Sequence, residues 1–258
     1  MSQLVSEAEP ASFGRVWNTE RGLKVNASVL VLSGQIMGMF LLVPPVWADA
    51  VTDGQEIATT GGGGIIACAT CHGANGEGMA AAGFPYLAGQ GATYLTEQLQ
   101  NFASGERQNP VMEPIAKAMN AAQIEAVSSY FAQLPKPFDA AALSNMVDTY
   151  PEKSEAGAWL ANRGDWDNNI PACIQCHGPG GVGVGTQFPA LAGLPANYLR
   201  QQLIDWKEKK RSDGPLSIMG DIARRMNDAQ ISAVADYFAA LPARVAGTPA
   251  VLTKEGAK

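Results

Sequence analysis

Cys68-Ala-Thr-Cys71-His72-Gly73 and Cys173-Ile-Gln-Cys176-His177-Gly178 lie 105 residues apart in a chain of 258. Between them they hold all four cysteines and both histidines of the protein. The residues downstream of each copy repeat as well. Phe84-Pro85-Tyr86-Leu87-Ala88-Gly89 returns as Phe188-Pro189-Ala190-Leu191-Ala192-Gly193, and Tyr94-Leu-Thr-Glu-Gln-Leu99 as Tyr198-Leu-Arg-Gln-Gln-Leu203, both at an offset of 104. Met112-Glu-Pro-Ile-Ala-Lys-Ala-Met119 returns as Met219-Gly-Asp-Ile-Ala-Arg-Arg-Met226 at an offset of 107, so a small insertion falls around Lys207–Ser217. This is a tandem duplication. Two copies are too few for a solenoid, which leaves two similar domains.

The periodicity inside each copy is helical. Ile124, Val127, Phe131 and Leu134, and again Ile231, Val234, Phe238 and Leu241, form one apolar stripe at 3-4-3 spacing. Asn120-x-x-Gln123 and Asn227-x-x-Gln230 precede the stripes as capping boxes. Tyr94–Phe102 and Tyr198–Trp206 read as a second helix, Gln55–Thr60 and Glu155–Arg163 as a short first one. No alternating strand stands out, so the expected fold is all-α, a few helices per copy joined by Gly- and Pro-rich loops. Units this small bury too little surface to be secure alone and commonly need a staple or a cofactor.

Residues 1–50 read as an export segment. Arg21 and Lys24 precede the apolar run Ala27–Leu42, and Val46-x-Ala48 or Ala48-x-Ala50 offers a cleavage point. The competing reading is an uncleaved anchor, against which stands a run interrupted by Ser33, Gly34 and Gln35. The expected division is 1–50 signal peptide or anchor, 51–137 first domain, 138–154 linker from the Pro135-Lys-Pro-Phe break, 155–243 second domain, and 244–258 a frayed tail. With residues 1–50 removed, 15 basic and 20 acidic residues remain, against 18 and 24 in the whole chain. An acidic chain lacks the basic face that would neutralise phosphates, which excludes a nucleic-acid partner. The expected location is the periplasm, with membrane association left open.

An exported protein can form disulfides, so the chemistry of the thiols turns on spacing. A zinc site needs four ligands, and each copy offers only two cysteines and one histidine. A thioredoxin-like pair would sit in a βαβ pattern, which is absent. Cys-X-X-Cys-His attaches a c-type haem: both sulfurs reach one edge of the porphyrin and the imidazole lies beneath the iron. Two such motifs with no cysteine left over point to two covalent haems, held by Cys68, Cys71, Cys173 and Cys176, with His72 and His177 on iron.

Both histidines are then spent, and methionine is the usual sixth ligand, raising the reduction potential. Each copy offers a pair. Met119 precedes the Asn120 cap with Ile124 at N4, a hydrophobic staple, and Met226, Asn227 and Ile231 repeat it. Met112 and Met219 follow Pro110 and Pro215 in stretches that no helical stripe claims, so they are the expected iron ligands. Met79 has no counterpart in the second copy and Met146 falls in the linker.

The tandem CxxCHG…FPxLAG…YLxxQL…MxxIA…YF pattern resembles the di-haem cytochromes c of the cytochrome c4 family, over residues 52–242. That resemblance implies two tandem class I cytochrome c domains. It further implies that the Pro85 and Pro189 carbonyls accept the proximal imidazole protons of His72 and His177. Tyr94 and Tyr198 are candidates either for haem propionate contact or for plain packing at a helix start. Six-coordinate irons leave no open position, so the expected activity is outer-sphere transfer of single electrons between respiratory partners and not catalysis. The partners implied are a quinol-oxidising complex, a terminal oxidase or a dehydrogenase. The alternatives are the cytochrome subunit of a flavoprotein sulfide-type dehydrogenase, or a haem enzyme such as a peroxidase or thiosulfate oxidoreductase.

Overall fold

The structure, a computed structural model, describes residues 46–146, 151–212, 214 and 218–246. The export segment lies outside these residues up to Pro45, and the tail from Gly247 onward does too. The first lobe holds α1 (Val46–Thr60), α2 (Ala69–His72), α3 (Ala92–Ser104), α4 (Met112–Lys117) and α5 (Ala121–Gln133). After α6 (Ala140–Asn145) the second lobe repeats the order as α7 (Ala156–Arg163), α8 (Ile174–His177), α9 (Ala196–Lys207), α10 (Ile218–Arg225) and α11 (Asp228–Ala246). Among the described residues, extended pairing is limited to isolated bridges.

Each lobe is closed by its first helix crossing its last, α1 on α5 and α7 on α11. Both crossings turn on a glycine. A Cβ on Gly54 would stand 2.2 Å from the Ala126 carbonyl oxygen, and one on Gly157 would stand 2.2 Å from that of Ala233. Only a bare backbone lets the helices approach this closely. The apolar stripes then face inward: Ile124, Val127 and Phe131 join Leu95 and Phe102 in one core, and Ile231, Val234 and Phe238 join Leu160 and Leu199 in the other. Burying such side chains contributes about 1.5–3 kcal/mol apiece.

Both expected capping boxes form. Asn120 Oδ1 accepts from Gln123 N at 3.0 Å while Gln123 Oε1 accepts from Asn120 N at 2.9 Å, and Asn227 and Gln230 reciprocate at 2.9 Å each way.

Two stretches differ from the sequence reading. Residues 138–154, expected as a linker, include α6, capped by Asp139 through Ala142 N at 2.8 Å. Its Leu143 is wholly buried in the second core, so this segment is part of that lobe's wall. The last helix also runs three residues past Ala243 and carries Pro242 inside it.

The lobes are tied by polar contacts. Gln90 grips Ala190 by both its backbone groups, Nε2 donating to the carbonyl at 3.0 Å and Oε1 accepting from the amide at 2.9 Å. Tyr86 OH donates to the Ala192 carbonyl at 3.0 Å. These are positions where the repeat departs from itself: Tyr86 matches Ala190, and Gln90 matches Leu194.

Gly54→Ala and Gly157→Ala should each destabilise the holoprotein by about 1–3 kcal/mol, the cost of overpacking a filled site. Denaturant melts followed by circular dichroism measure this, and an unchanged midpoint for both would refute the close-crossing account.

Candidate cofactor sites

Each lobe encloses a hollow lined by its Cys-X-X-Cys-His motif. The first, about 460 Å³, is bordered by Cys68, Cys71, His72 and Met112; the second, about 260 Å³, by Cys173, Cys176, His177 and Met219. The motif works because the chain turns into one helical turn there: His72 N donates to the Cys68 carbonyl at 2.9 Å and His177 N to that of Cys173 at 3.0 Å. Both sulfurs and the imidazole thereby reach one hollow.

Both imidazoles are buried and fixed. His72 Nδ1 lies 2.8 Å from the Pro85 carbonyl oxygen and His177 Nδ1 lies 2.7 Å from that of Pro189. A carbonyl can only accept, so Nδ1 carries the proton and Nε2 presents its lone pair to the hollow. Burial holds both imidazoles below their ordinary value against the opposing pull of the proline carbonyl, with the Arg211 guanidinium adding to the effect at His177. They are therefore neutral at neutral pH, the ligating form. Burial pushes the Cys68 thiol up to about 11 and Cys173 up to about 12. No disulfide joins the four cysteines to one another, and no cluster of three or more His, Cys, Asp or Glu side chains converges among the described residues.

Burial divides the methionines. Met112 and Met119 both border the first hollow, Met219 and Met226 the second. Met119 and Met226 are only 8% and 4% exposed and belong to the cores; Met112 and Met219 are half-buried. Met112 opens α4 and Met219 sits in the first turn of α10, not in loops as the sequence suggested. The physical reason lies in Asn109. Its Oδ1 accepts from Val111 N at 3.0 Å and Met112 N at 2.9 Å, and Pro110 follows it, the pattern of an Asn cap with proline at N1. Met79 is 43% exposed, and Met146 packs against the second core.

Tyr94 and Tyr198, candidates from the sequence, meet here four residues that the sequence reading missed: Gln98, Gln202, Arg107 and Arg211. Where the two hollows approach each other, Tyr94, Gln98, Tyr198 and Gln202 border both. Arg107 donates to Gln98 Oε1 at 2.9 Å, Tyr198 OH at 3.0 Å and Gln202 Oε1 at 2.6 Å. Arg211 mirrors it, donating to Gln202 Oε1 at 2.9 Å, Tyr94 OH at 3.3 Å and Gln98 Oε1 at 2.9 Å. Arg107 lies over the Phe102 ring at 4.4 Å and Arg211 over the Trp206 ring at 4.0 Å. Each of these pairs stands 104 residues apart, the signal that could have found them.

A c-type haem fits these residues. The first hollow falls within the roughly 300–1,000 Å³ usual for cofactor pockets and the second just under it. Both walls are mainly apolar, with two thiols, an oriented imidazole and a thioether among them. At the polar end of the second hollow the buried Trp206 Nε1 and Arg211 Nε have no hydrogen-bond partner, as the carboxylate end of a porphyrin requires.

The chain matches the family described as cytochrome c over residues 51–135 and 154–242. It is 48% identical over 207 residues to the thiosulfate dehydrogenase electron acceptor of Stutzerimonas stutzeri, covering 79% of this chain and 93% of that one. It is 33% identical over 186 residues to cytochrome c4 of Pseudomonas aeruginosa, covering 71% and 88%. Among solved structures it is similar to the thiosulfate dehydrogenase TsdBA of Marichromatium purpuratum, with TM-score 0.64 at 40% identity over 73% of this chain. This chain spans only 40% of that one. Reduced cytochrome c4 from Pseudomonas stutzeri is matched with TM-score 0.59 at 29% identity, over 73% of this chain and 97% of that chain.

Met112→Ala should abolish the long-wavelength sulfur-to-iron absorption of the first lobe and lower its potential. Met119→Ala should keep that band and instead cost about 2–5 kcal/mol of stability. Absorption spectra and melts of the two holoproteins decide it; the reverse pattern would exchange the two assignments.

Proposed function

Because the chain belongs to the cytochrome c family and carries two covalent c-type haems, we propose that it accepts electrons from a thiosulfate-oxidising dehydrogenase. It is a di-haem electron-transfer cytochrome. The observation that carries the choice of donor is the likeness to a thiosulfate dehydrogenase electron acceptor over nearly that protein's whole length. The match to TsdBA supports it. Joining two thiosulfates through a sulfur–sulfur bond releases two electrons, and a di-haem acceptor has room for both.

In this reading Cys68 and Cys71 would tether the first haem, and His72 Nε2 and the Met112 sulfur would ligate its iron. Cys173, Cys176, His177 and Met219 would do the same in the second lobe. The bound haems supply one-electron redox chemistry. The Pro85 and Pro189 carbonyls hold each imidazole in one tautomer and orientation and raise its basicity. With an imidazole and a thioether both given to the iron, no place on it would be left for a sulfur substrate, and the chemistry supplied would be electron transfer alone. Thioether ligation favours the reduced state and keeps the potentials high enough to draw electrons from the donor.

Exposed apolar side chains mark where a partner can approach. Ile66 and Val111, 57% and 49% exposed, border the first hollow; Phe188 and Ile218, 40% and 46% exposed, border the second. With a net charge of −6, the chain favours a basic docking face and association that weakens with salt. Export to the periplasm accords with residues 1–50 and with the haem attachment chemistry. No helix among the described residues is long and apolar enough to cross a membrane.

The test is rapid-mixing reduction of the oxidised holoprotein by a thiosulfate dehydrogenase supplied with thiosulfate. Both haems should be reduced at a second-order rate that falls as salt rises. Failure with that donor, alongside rapid reduction by a flavoprotein sulfide dehydrogenase, would replace it with the latter. A rate indifferent to salt would remove the electrostatic docking.

A further inference from the structure

Arg107 and Arg211 are 6% and 5% exposed, and neither belongs to an ion pair found among the described residues. Their acceptors are the neutral Gln98, Gln202, Tyr94 and Tyr198. Both guanidiniums donate to the same two amide oxygens, which holds two like charges side by side in the lobe interface. The backbone enforces the arrangement through an antiparallel bridge between Arg107 and Arg211, flanked by Gln108 N to the Lys210 carbonyl at 2.8 Å and Ser212 N to the Glu106 carbonyl at 2.7 Å. Asp205 lends Arg107 a favourable field without forming an ion pair with it, and its carboxylate accepts from Gln201 Nε2 at 2.8 Å.

Two buried cations side by side, with no ion pair to either among the described residues, are strongly destabilising unless an anion reaches them. Arg211 also keeps its buried Nε without an acceptor, as does the Trp206 Nε1 whose ring lies beneath it. Arg107 borders the first hollow and Arg211 the second, and their four acceptors, two of them shared, border both. The missing anions must therefore arrive from two sides. A haem carries its negative charge on two propionate carboxylates at one edge.

We propose that Arg107 and Arg211 form a shared clamp for propionates of both haems, one carboxylate entering from each hollow, and that the pair thereby sets the two reduction potentials jointly. The inference rests on the assignment of haems to the two hollows. A positive charge favours the more electron-rich state of anything near it. Each arginine thus raises the electron affinity of both haems and not only of the one in its own lobe. Trp206 adds an N–H on the second side alone, because Phe102 occupies the matching place in the first lobe.

Redox titration of the full-length holoprotein resolves two one-electron waves. Arg107→Gln and Arg211→Gln should each move both waves down, with electron affinity weakened about tenfold, or about 59 mV for a one-electron couple. Trp206→Phe should move one wave only. Arg107→Lys keeps the charge and should hold both waves within threefold of the unmodified protein; it also serves if Arg107→Gln fails to assemble. A single wave moving in each Arg→Gln variant would give each arginine to one haem and overturn the sharing. No movement in either variant, or an Arg107→Lys protein that falls as far as Arg107→Gln, would overturn the electrostatic clamp. Covalent haem content, measured on the same samples, reports independently on whether the hollows hold haem at all.

Discussion

The bond from the His72 imidazole to the Pro85 carbonyl, with its twin between His177 and Pro189, is where chain-local chemistry becomes a three-dimensional site. Each motif sits on a single helical turn that could point its histidine anywhere. The proline carbonyl arrives from a segment about a dozen residues further on and aims it. Taking up Nδ1–H leaves Nε2 as the only free nitrogen, facing the hollow. Burial then keeps the ring neutral. The loops that carry the prolines, the helices that cover them and the cavity they enclose all have to agree with this one orientation.

Around it, each lobe is assembled as a wrapper. Gly54 against Ala126 and Gly157 against Ala233 let the first and last helices cross at backbone distance, and the crossing shuts the end of the lobe away from the motif. The apolar stripes then face a core that includes the hollow lined by the motif. Small domains lack surface to bury, and here the shortfall is met by a large flat apolar cofactor lying where a larger protein would place side chains.

The duplication explains the interface as well as the lobes. Tyr94, Gln98 and Arg107 match Tyr198, Gln202 and Arg211, so the contacts they make are related by an approximate twofold. The copies diverge where symmetry would be a handicap. Tyr86 and Gln90 of the first copy reach across to Ala190 and Ala192 of the second, and Ala190 and Leu194 at the matching positions make room. A self-complementary pair of tyrosines could not occupy that space. Phe102 and Trp206 likewise differ in the one N–H that distinguishes the two polar ends.

Much of the candidate site was legible because its determinants are local. Cys68, Cys71 and His72 are spaced by covalent geometry, the caps at Asn120 and Asn227 by helix geometry, and the stripes by helical period. Met112 was singled out by elimination, yet its place at the start of α4 went unread because the Asn109-Pro110 cap precedes a helix too short to show a stripe. Leu143 was assigned to a linker for the same reason: α6 is six residues long, and only the wall it packs on reveals its purpose. Nothing in the local sequence around Arg107 and Arg211 marks them as buried. By itself, then, the amino-acid sequence determined the helical class, the duplication and the haem chemistry, which rest on short-range spacing and on motifs that recur along the chain. The folded molecule alone decided which lobe faces meet, that two arginines are buried there with no ion pair among the described residues, and that the two hollows share one polar wall. Those depend on groups 91 to 117 residues apart, and burial has no signature until the chain has closed over itself.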